Sequence, residues 1–183
     1  TVARKMQESG INWIGDLPAT WQLRRFKNAG NFQTGKDHKE LAAGEIPVFG
    51  SSSEPFAWVG RSLCSRKAIA IGRKGTIDQP FLIQTKFWAV DTCMFNTVLR
   101  TDFSLNYLAY WSQIVPWKEI STQTALPSLT QTDANNVIVA YPPINEQRRI
   151  ADWLDLQTTR IDKRRALLAK KRELLQELNK SMV

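Results

Sequence analysis

The chain has 183 residues, of which 43% are hydrophobic and 23% charged, a composition typical of a globular protein of one domain or slightly more. Its two cysteines and single histidine exclude a disulfide framework, a four-ligand zinc site and any cluster that needs several histidines. The net charge of +8 indicates an acidic partner, with nucleic acid preferred over a membrane surface.

The start of the chain carries no recognisable targeting segment. Its first 25 residues lack the uninterrupted apolar core of a signal peptide, and no later apolar stretch is long enough for a transmembrane helix. With so few cysteines, a reducing cytoplasm is the expected location. The chain begins at Thr1 rather than at Met, which we interpret as a trimmed start.

Residues 1–144 are expected to form an α+β domain with short strands. They contain all nine glycines and all eight prolines of the chain, which divide them into brief apolar segments. One helix is predicted over Leu105–Ile114, with Ser104 as its N-cap and Pro116 beyond its end. No regular strand-helix alternation is present, which argues against a doubly wound parallel sheet. The predicted strands are residues 46–49, 68–71, 80–83, 87–90, 93–99 and 137–141.

The segment 61–86 is the main candidate for a nucleic-acid contact, with six cations against one acid. Within it, Gly72 and Gly75 bracket Arg73 and Lys74, which predicts a tight turn that directs both charges outward from a strand end. Such a turn suits phosphates or guanine, because arginine can bond O6 and N7 of that base together. A solvated hairpin tip is the alternative. The other candidates in the segment are Arg61, Arg66, Lys67, Thr76 and Lys86.

Two loops rich in hydroxyl and amide groups are further candidates for DNA contacts. Short polar side chains on loops can contact bases or phosphates, although ordinary loops contain them too. The tryptophans Trp58, Trp88 and Trp111 lie in apolar contexts and are predicted to be in the core rather than to stack on bases. The candidate loop residues are Ser51, Ser52, Ser53 and Gln123.

Motifs of catalysis are not convincing in this sequence. A phosphate-binding loop and a dinucleotide fingerprint are absent. Residues 141–144 superficially resemble an amino-methyltransferase motif but lack its polar first and aromatic last residue. Asp78 with residues 84–86 loosely resembles a metal-dependent nuclease pattern, yet the second acid is missing. The chain is therefore expected to be non-catalytic, with no metal and no cofactor of its own.

Residues 145–183 contain neither glycine nor proline and are predicted to form one long helix with Asn145 as its N-cap. A seven-residue apolar repeat predicts a coiled-coil-like pairing with another helix. The alternate seam positions are occupied by Gln157, Arg164 and Lys171, which leave the stripe thin in the middle, so the helix should need a partner. A helix folded back over its own domain is the alternative. The stripe consists of Leu154, Ile161, Leu168, Leu175, Leu178 and Met182.

Six short segments follow one another in an order that is typical of one protein family. They are residues 9–18 with Trp21, 69–76, 86–92, 127–129, 141–155 and 158–162. Each is short, but together they extend over nearly the whole chain. In this combination they resemble the specificity subunits of type I restriction-modification systems.

The resemblance implies that residues 1–144 are a target recognition domain that reads one half of a two-part double-stranded DNA sequence. Residues 145–183 would be the spacer helix that docks methyltransferase subunits and, through them, the restriction subunit, which together supply catalysis and cofactors. Family subunits usually carry two such units, so a half-subunit or a truncated fragment of a bacterial or archaeal protein is expected. Two copies could pair as a homodimer through the helix and would then recognise a palindromic target.

A freestanding basic DNA-binding protein that dimerises through its helix is the alternative function. It predicts tight, specific binding by the isolated chain, whereas a specificity subunit predicts strong binding only with the methyltransferase. A nuclease would require metal-dependent cleavage that is lost on changing Asp78 or Lys86. In the turn, Arg73→Ala should relax one base position if the arginine reads a base, while Lys74→Ala should weaken binding to all sequences alike.

Overall fold

The computed structural model describes residues 4–122 and 127–181, with side chains up to Glu177 in the last helix. Three of the predicted site residues, Gln123, Leu178 and Met182, have side chains outside this description. Within the described ranges, no helix combines the length and the apolar character needed to cross a bilayer.

Three short strands that the sequence pattern did not predict come first in the chain. Strands β1 (Met6–Glu8) and β2 (Asp16–Pro18) form an antiparallel hairpin, and β3 (Gln22–Arg25) follows. The hairpin connection turns at Gly10 and Gly15, whose φ angles of 70° and 66° favour glycine. Strands of three or four mostly exposed residues show too little alternation for periodicity to reveal them.

Seven strands between residues 33 and 96 form two small sheets. They are β4 (Gln33–Thr34), β5 (Ala43–Phe49), β6 (Ala57–Val59), β7 (Ala68–Gly72), β8 (Phe81–Ile83), β9 (Trp88–Ala89) and β10 (Cys93–Asn96). One sheet is antiparallel with the order β4-β10-β7-β8, and the other has the order β6-β5-β9 with β5 and β9 parallel. All of β7 is buried, because it is paired on both edges with β10 and β8 and its two faces pack into separate core clusters, Ile69 and Ile71 in one and Ala68 and Ala70 in the other.

The strand predicted over residues 93–99 ends early, at Asn96. Val98 has a φ of 41°, which breaks the extended conformation. The Asn96 side chain stabilises this bend, because its Oδ1 accepts from the Val98 amide at 2.9 Å while its Nδ2 donates to the Gly30 carbonyl. The strand predicted over residues 87–90 is likewise limited to β9.

Three helices and one strand complete the domain: α1 (Leu105–Ile114), α2 (Trp117–Ile120), α3 (Gln131–Asn136) and β11 (Ile138–Tyr141). The bounds of α1 are those predicted, and the Ser104 side chain accepts from the Tyr107 amide at 3.4 Å, as an N-cap should. Strand β11 pairs with β3. The largest core cluster includes Phe26, Ile69, Ile71, Leu108, Trp117 and Leu129.

The last helix, α4 (Ile144–Ser181), has 38 residues. The predicted N-cap at Asn145 is wrong, because the amides of Glu146 and Gln147 already donate to the Pro143 carbonyl at 2.8 and 3.0 Å. Asn145 therefore lies inside the first turn. Every residue from 158 to 177 is exposed, so this part of the helix does not fold back over the domain and that alternative is wrong. The α+β fold with a long terminal helix is confirmed.

Candidate nucleic-acid interface

The basic turn, defined as residues 72–76, closes tightly after β7. A Cβ placed on Gly72 would lie 2.0 Å from the Thr76 carbonyl oxygen, so the close approach requires glycine. Gly75 has a φ of 79°, a conformation that also favours glycine. The two glycines thus form the predicted turn around Arg73 and Lys74.

Two neighbouring segments hold the backbone of the basic turn. The Arg73 amide donates to the Thr92 carbonyl at 2.7 Å, and the Arg73 carbonyl accepts from the Leu129 amide at 2.9 Å. Lys74 forms an isolated antiparallel bridge with Ser128. The backbone of the turn is therefore held on both sides, and a ligand contact and a solvated hairpin tip both stay open as predictions.

The two cations of the basic turn are available to a ligand. Arg73 is half-buried and Lys74 is exposed. Neither forms an ion pair within the described part of the chain. A phosphate could therefore bind them without displacing an internal carboxylate, through charge-assisted hydrogen bonds.

Hydroxyl groups from three segments surround the basic turn. Ser51 lies beside the turn, because its Oγ would be 3.9 Å from a Cβ placed on Gly75. Thr76 supplies a second hydroxyl from within the turn. On the other side, Thr122 Oγ1 and Ser128 Oγ lie 3.0 Å apart. The structure thus brings one predicted serine next to the predicted cations. Ser52 and Ser53 are exposed farther along the same loop, and Gln123 comes directly after Thr122, outside the described residues.

The other four predicted cations form a second basic group, away from the turn. Arg66 and Lys67 precede β7, whereas the basic turn follows it, and six extended residues from Lys67 to Arg73 span ~20 Å. Lys86 lies beside the same end, because the amide of Phe87 donates to the Cys64 carbonyl at 2.9 Å. The second basic group comprises Arg61, Arg66, Lys67 and Lys86, all exposed. The single basic segment of the sequence is therefore divided in space by β7.

A cleft of about 400 Å³ lies beside this second basic group. Its lining is mixed, because cations, hydroxyl and amide groups alternate with the apolar side chains of Leu63, Phe95 and Leu99. The polar lining residues are Gln33, Thr34, Lys36, Ser65, Arg66 and Thr97.

The candidate nuclease residues do not come together in a site. Asp78 lies before β8 and Lys86 after it. The Asp78 carboxylate is instead paired with Lys118, at 2.6 Å between Nζ and Oδ2, and this contact lowers the pKa of Asp78.

The prediction that Trp58 belongs to the core is wrong. Its side chain is 54% exposed on β6, and the neighbouring Phe56 is 55% exposed. Trp88 is buried as predicted, and its indole N–H donates to the Lys36 carbonyl at 2.7 Å. The spacing of two residues between Phe56 and Trp58 was the available signal, since it places both on one face of a strand.

Gln147, which sequence reasoning did not select, anchors α4 to the domain. It is completely buried, and its Oε1 accepts from the Ser104 amide at 2.8 Å. Its Nε2 donates to the carbonyls of Asp102 and Pro142 at 3.0 and 2.8 Å. One side chain thus joins the start of α4 to the loop that leads into α1.

A charged cluster covers this anchor. Arg100 donates two hydrogen bonds to the Asp102 carboxylate, at 2.9 and 3.0 Å, and the Tyr141 hydroxyl donates a third at 2.8 Å. The Arg100 guanidinium, aided by the Tyr141 hydroxyl, lowers the pKa of Asp102 to about 2. Arg24 stacks over the Tyr141 ring, 4.2 Å from its centroid.

The apolar stripe of α4 has two parts. Leu154 is half-buried and lines a groove next to the domain, together with Trp111 and Ile150. Ile161, Leu168 and Leu175 are 49%, 66% and 52% exposed. Such a row of exposed aliphatic side chains on one helix is typical of an unpartnered interface.

Solved structures share this fold. The chain matches the S subunit of a type I restriction-modification system from M. genitalium with a TM-score of 0.66 and 16% identity, over 78% of this chain and 40% of that one. It matches the HsdS subunit from Thermoanaerobacter tengcongensis with a TM-score of 0.64 and 17% identity, over 86% and 41%. A structure that describes complex assembly and conformational transition of the type I R-M system gives a TM-score of 0.77 and 17% identity, over 94% and 46%. The chain spans less than half the length of these proteins.

The sequence itself gives the family. Residues 18–176 match the family described as type I restriction modification DNA specificity domain. This range is most of the chain, so the chain belongs to that family, and the predicted resemblance is confirmed. No curated protein matches the sequence.

Proposed function

We propose that this chain is a non-catalytic DNA-recognition module of a type I restriction-modification complex. Its membership of the DNA specificity domain family carries the proposal. The net charge of +8 supports it, because cations that neutralise phosphates release the counterions of the duplex. The domain of residues 1–144 reads one half of a two-part target.

The two cations of the basic turn have different roles in this proposal. The backbone of Arg73 is fixed by hydrogen bonds at both its amide and its carbonyl. Its side chain therefore starts from a fixed position, which suits an arginine that reads guanine. Lys74 is exposed and acts as a point charge on a phosphate. The hydroxyl groups of Ser51 and Thr76 add hydrogen bonds to the DNA backbone.

The long helix is the assembly element of this module. Its exposed leucines dock methyltransferase subunits and, through them, the restriction subunit. Methyl transfer, cleavage and the associated cofactors belong to those partners, in the cytoplasm of a bacterium or archaeon. The same stripe supports pairing of two copies, which would give a palindromic two-part target.

Co-expression of the chain with its methyltransferase partner, followed by mapping of methylated adenines in host DNA, tests this function. We expect new methylation at one two-part motif. A double variant, Arg73→Ala with Lys74→Ala, should abolish or relax the motif, whereas Lys5→Ala, an exposed cation on the N-terminal segment, should leave it unchanged.

The same experiment can contradict the proposed function. A soluble chain that yields no new methylation with its partner contradicts the proposal. Tight sequence-specific binding by the chain alone would then favour the freestanding DNA-binding protein. Metal-dependent cleavage that is lost in Asp78→Asn would favour the nuclease.

A further inference from the structure

Two large aromatic side chains, Phe56 and Trp58, are exposed at the start of β6 and form what we call the aromatic pair. Trp58 lies within β6 and Phe56 directly precedes this strand. Phe56 and Trp58 are exposed, whereas Ala57 is half-buried and Val59 is buried, so both aromatic side chains lie on the solvent side of this segment. More than half of each side chain is exposed, so together they form an apolar patch rather than a single surface residue.

The aromatic pair lies next to the basic turn. A Cβ placed on Gly50 would lie 3.5 Å from Phe56 Cε1, and the following Ser51 has its Cβ 2.8 Å from the position of a Cβ on Gly72. Gly50 also lies close to Thr92, whose carbonyl holds the Arg73 amide. The Phe56 ring and the cations of the turn therefore border one continuous surface.

The sheet fixes both aromatic residues in place. The Phe56 amide donates to the Val48 carbonyl at 3.1 Å, and Trp58 is paired with Pro47 across β5 and β6. The Phe56 ring also packs edge-on against His38, with centroids 5.3 Å apart and an interplanar angle of 84°. Rings that are already positioned lose little conformational entropy when a partner binds.

Charges on the other side of the aromatic pair are mixed but include exposed cations. The contact with His38 places Phe56 beside the segment that carries Lys36 and Lys39, both exposed. Asp37, Glu40 and Glu54 are the neighbouring acids, all exposed, and the Asp37 carboxylate accepts from the amides of residues 38 and 39. On this side two cations face three acids, so the preference for a polyanion comes from Arg73 and Lys74 of the basic turn, which form no ion pair within the described residues.

We propose that Phe56 and Trp58 contact double-stranded DNA directly, by packing on base edges and deoxyribose in the groove whose phosphates the basic turn binds. This inference rests on the proposed DNA-recognition function and adds two residues to it. Cations alone bind any sequence, whereas an aromatic ring distinguishes a thymine methyl group from the polar edge of cytosine. The aromatic pair thereby contributes sequence preference.

Equilibrium binding across a salt series tests the aromatic pair. The chain with its methyltransferase partner is titrated against a duplex that carries the mapped motif, for wild type, Phe56→Ala and Trp58→Ala. We expect about 5- to 30-fold weaker binding for each variant, as is usual when an interface aromatic is truncated. The slope of log K against log salt should stay unchanged, because no phosphate contact is lost. Met6→Ala, which removes an apolar side chain that is 49% exposed on β1, is the matched control.

The outcomes separate this inference from the proposed function. Wild-type affinity in both aromatic variants, together with weak binding by the Arg73→Ala and Lys74→Ala double variant, overturns the inference and leaves the function standing. Absence of DNA binding by the wild-type complex overturns both. The thermal midpoint of unfolding shows whether each variant folds. If Phe56→Ala lowers this midpoint, the DNA affinities of Trp58→Ala and Phe56→Leu are used to test the inference instead.

Discussion

At the scale of single residues, the shape of the basic turn depends on Gly72. The Thr76 carbonyl oxygen and carbonyl carbon would lie 2.0 and 2.9 Å from a Cβ at this position. Both are backbone atoms, which cannot rotate away as a side chain could. The turn that directs the Arg73 and Lys74 side chains outward therefore requires a residue without a Cβ at position 72.

Gly72→Ala is expected to destabilise the domain by about 1–3 kcal/mol, because the added methyl group overpacks a closed turn. Urea unfolding followed by circular dichroism measures the loss. Gly60→Ala is the control, since its nearest contacts would be ordinary ones at 3.5 and 3.6 Å. Equal midpoints for the two variants would contradict this account of the turn.

Asp102 is the residue through which pH acts on the anchor of α4. Its pKa is about 2 in the folded chain, chiefly because of the hydrogen bonds from Arg100, against about 3.9 for an unperturbed aspartate. A lowered folded-state pKa adds stability above the unfolded-state value, and this stability is lost as the pH falls through the folded-state value. A third of the side chain is exposed, so the contribution is about 1 kcal/mol or less.

Asp102→Asn should therefore flatten the loss of stability between about pH 4 and about pH 2. The free energy of unfolding in urea, measured at several pH values, checks this. Asp16→Asn, at an exposed position on β2, is the control for the loss of one carboxylate elsewhere on the surface. A profile for Asp102→Asn that runs parallel to wild type would show that the Arg100 pairing does not stabilise the fold.

At the scale of elements, Gln147 joins α4 to the domain. Gln147→Leu leaves the Ser104 amide and the carbonyls of Asp102 and Pro142 without this partner. Each buried group left unpaired costs about 1–3 kcal/mol, so we expect a clear drop in the urea midpoint. Asn145→Leu makes a similar change at an exposed position two residues earlier and should be nearly neutral. If the urea midpoint fell by a similar amount in both variants, the lower stability would come from a change in helix propensity and not from the lost hydrogen bonds of Gln147.

The apolar stripe of α4 gives a prediction about assembly. Leu168→Glu places a charge in the proposed seam and should weaken self-association or methyltransferase docking at least about tenfold. Ala166→Glu adds the same charge about 160° around the helix and should have little effect. Sedimentation velocity measures both variants. If Ala166→Glu disrupts assembly as strongly as Leu168→Glu, the seam lies elsewhere on the helix.

At the scale of the whole molecule, the two basic groups lie at opposite ends of β7. Their separation of ~20 Å corresponds to about six phosphates along one DNA strand at ~3.4 Å each, so one duplex could contact both groups. Binding should then depend on both groups, although they are far apart on the surface.

Two double variants test this arrangement through the salt dependence of DNA binding. Arg73→Ala with Lys74→Ala, and Arg66→Ala with Lys67→Ala, should each reduce the slope of log K against log salt by about 0.9 per lost phosphate contact. Lys5→Ala with Lys27→Ala removes the same charge from other exposed positions and should change the slope less. A slope that responds to only one of the first two variants would restrict the interface to that end of β7.

The sequence by itself determined the features that depend on neighbours along the chain. The bounds of α1, the buried run of β7 and the long α4 follow from local apolar periodicity and from glycine and proline positions. The basic turn is also local, because its two glycines and two cations are consecutive. The family resemblance could be found for the same reason, since its motifs are short runs in a fixed order.

Only the tertiary structure decided which of these runs meet. It divided the basic segment into two groups, placed Ser51 against Gly72, exposed Trp58 and buried Gln147. Each of these outcomes depends on pairing between strands or helices that are distant in sequence. Periodicity reports which face of an element is apolar, but it carries no information about the element that covers that face.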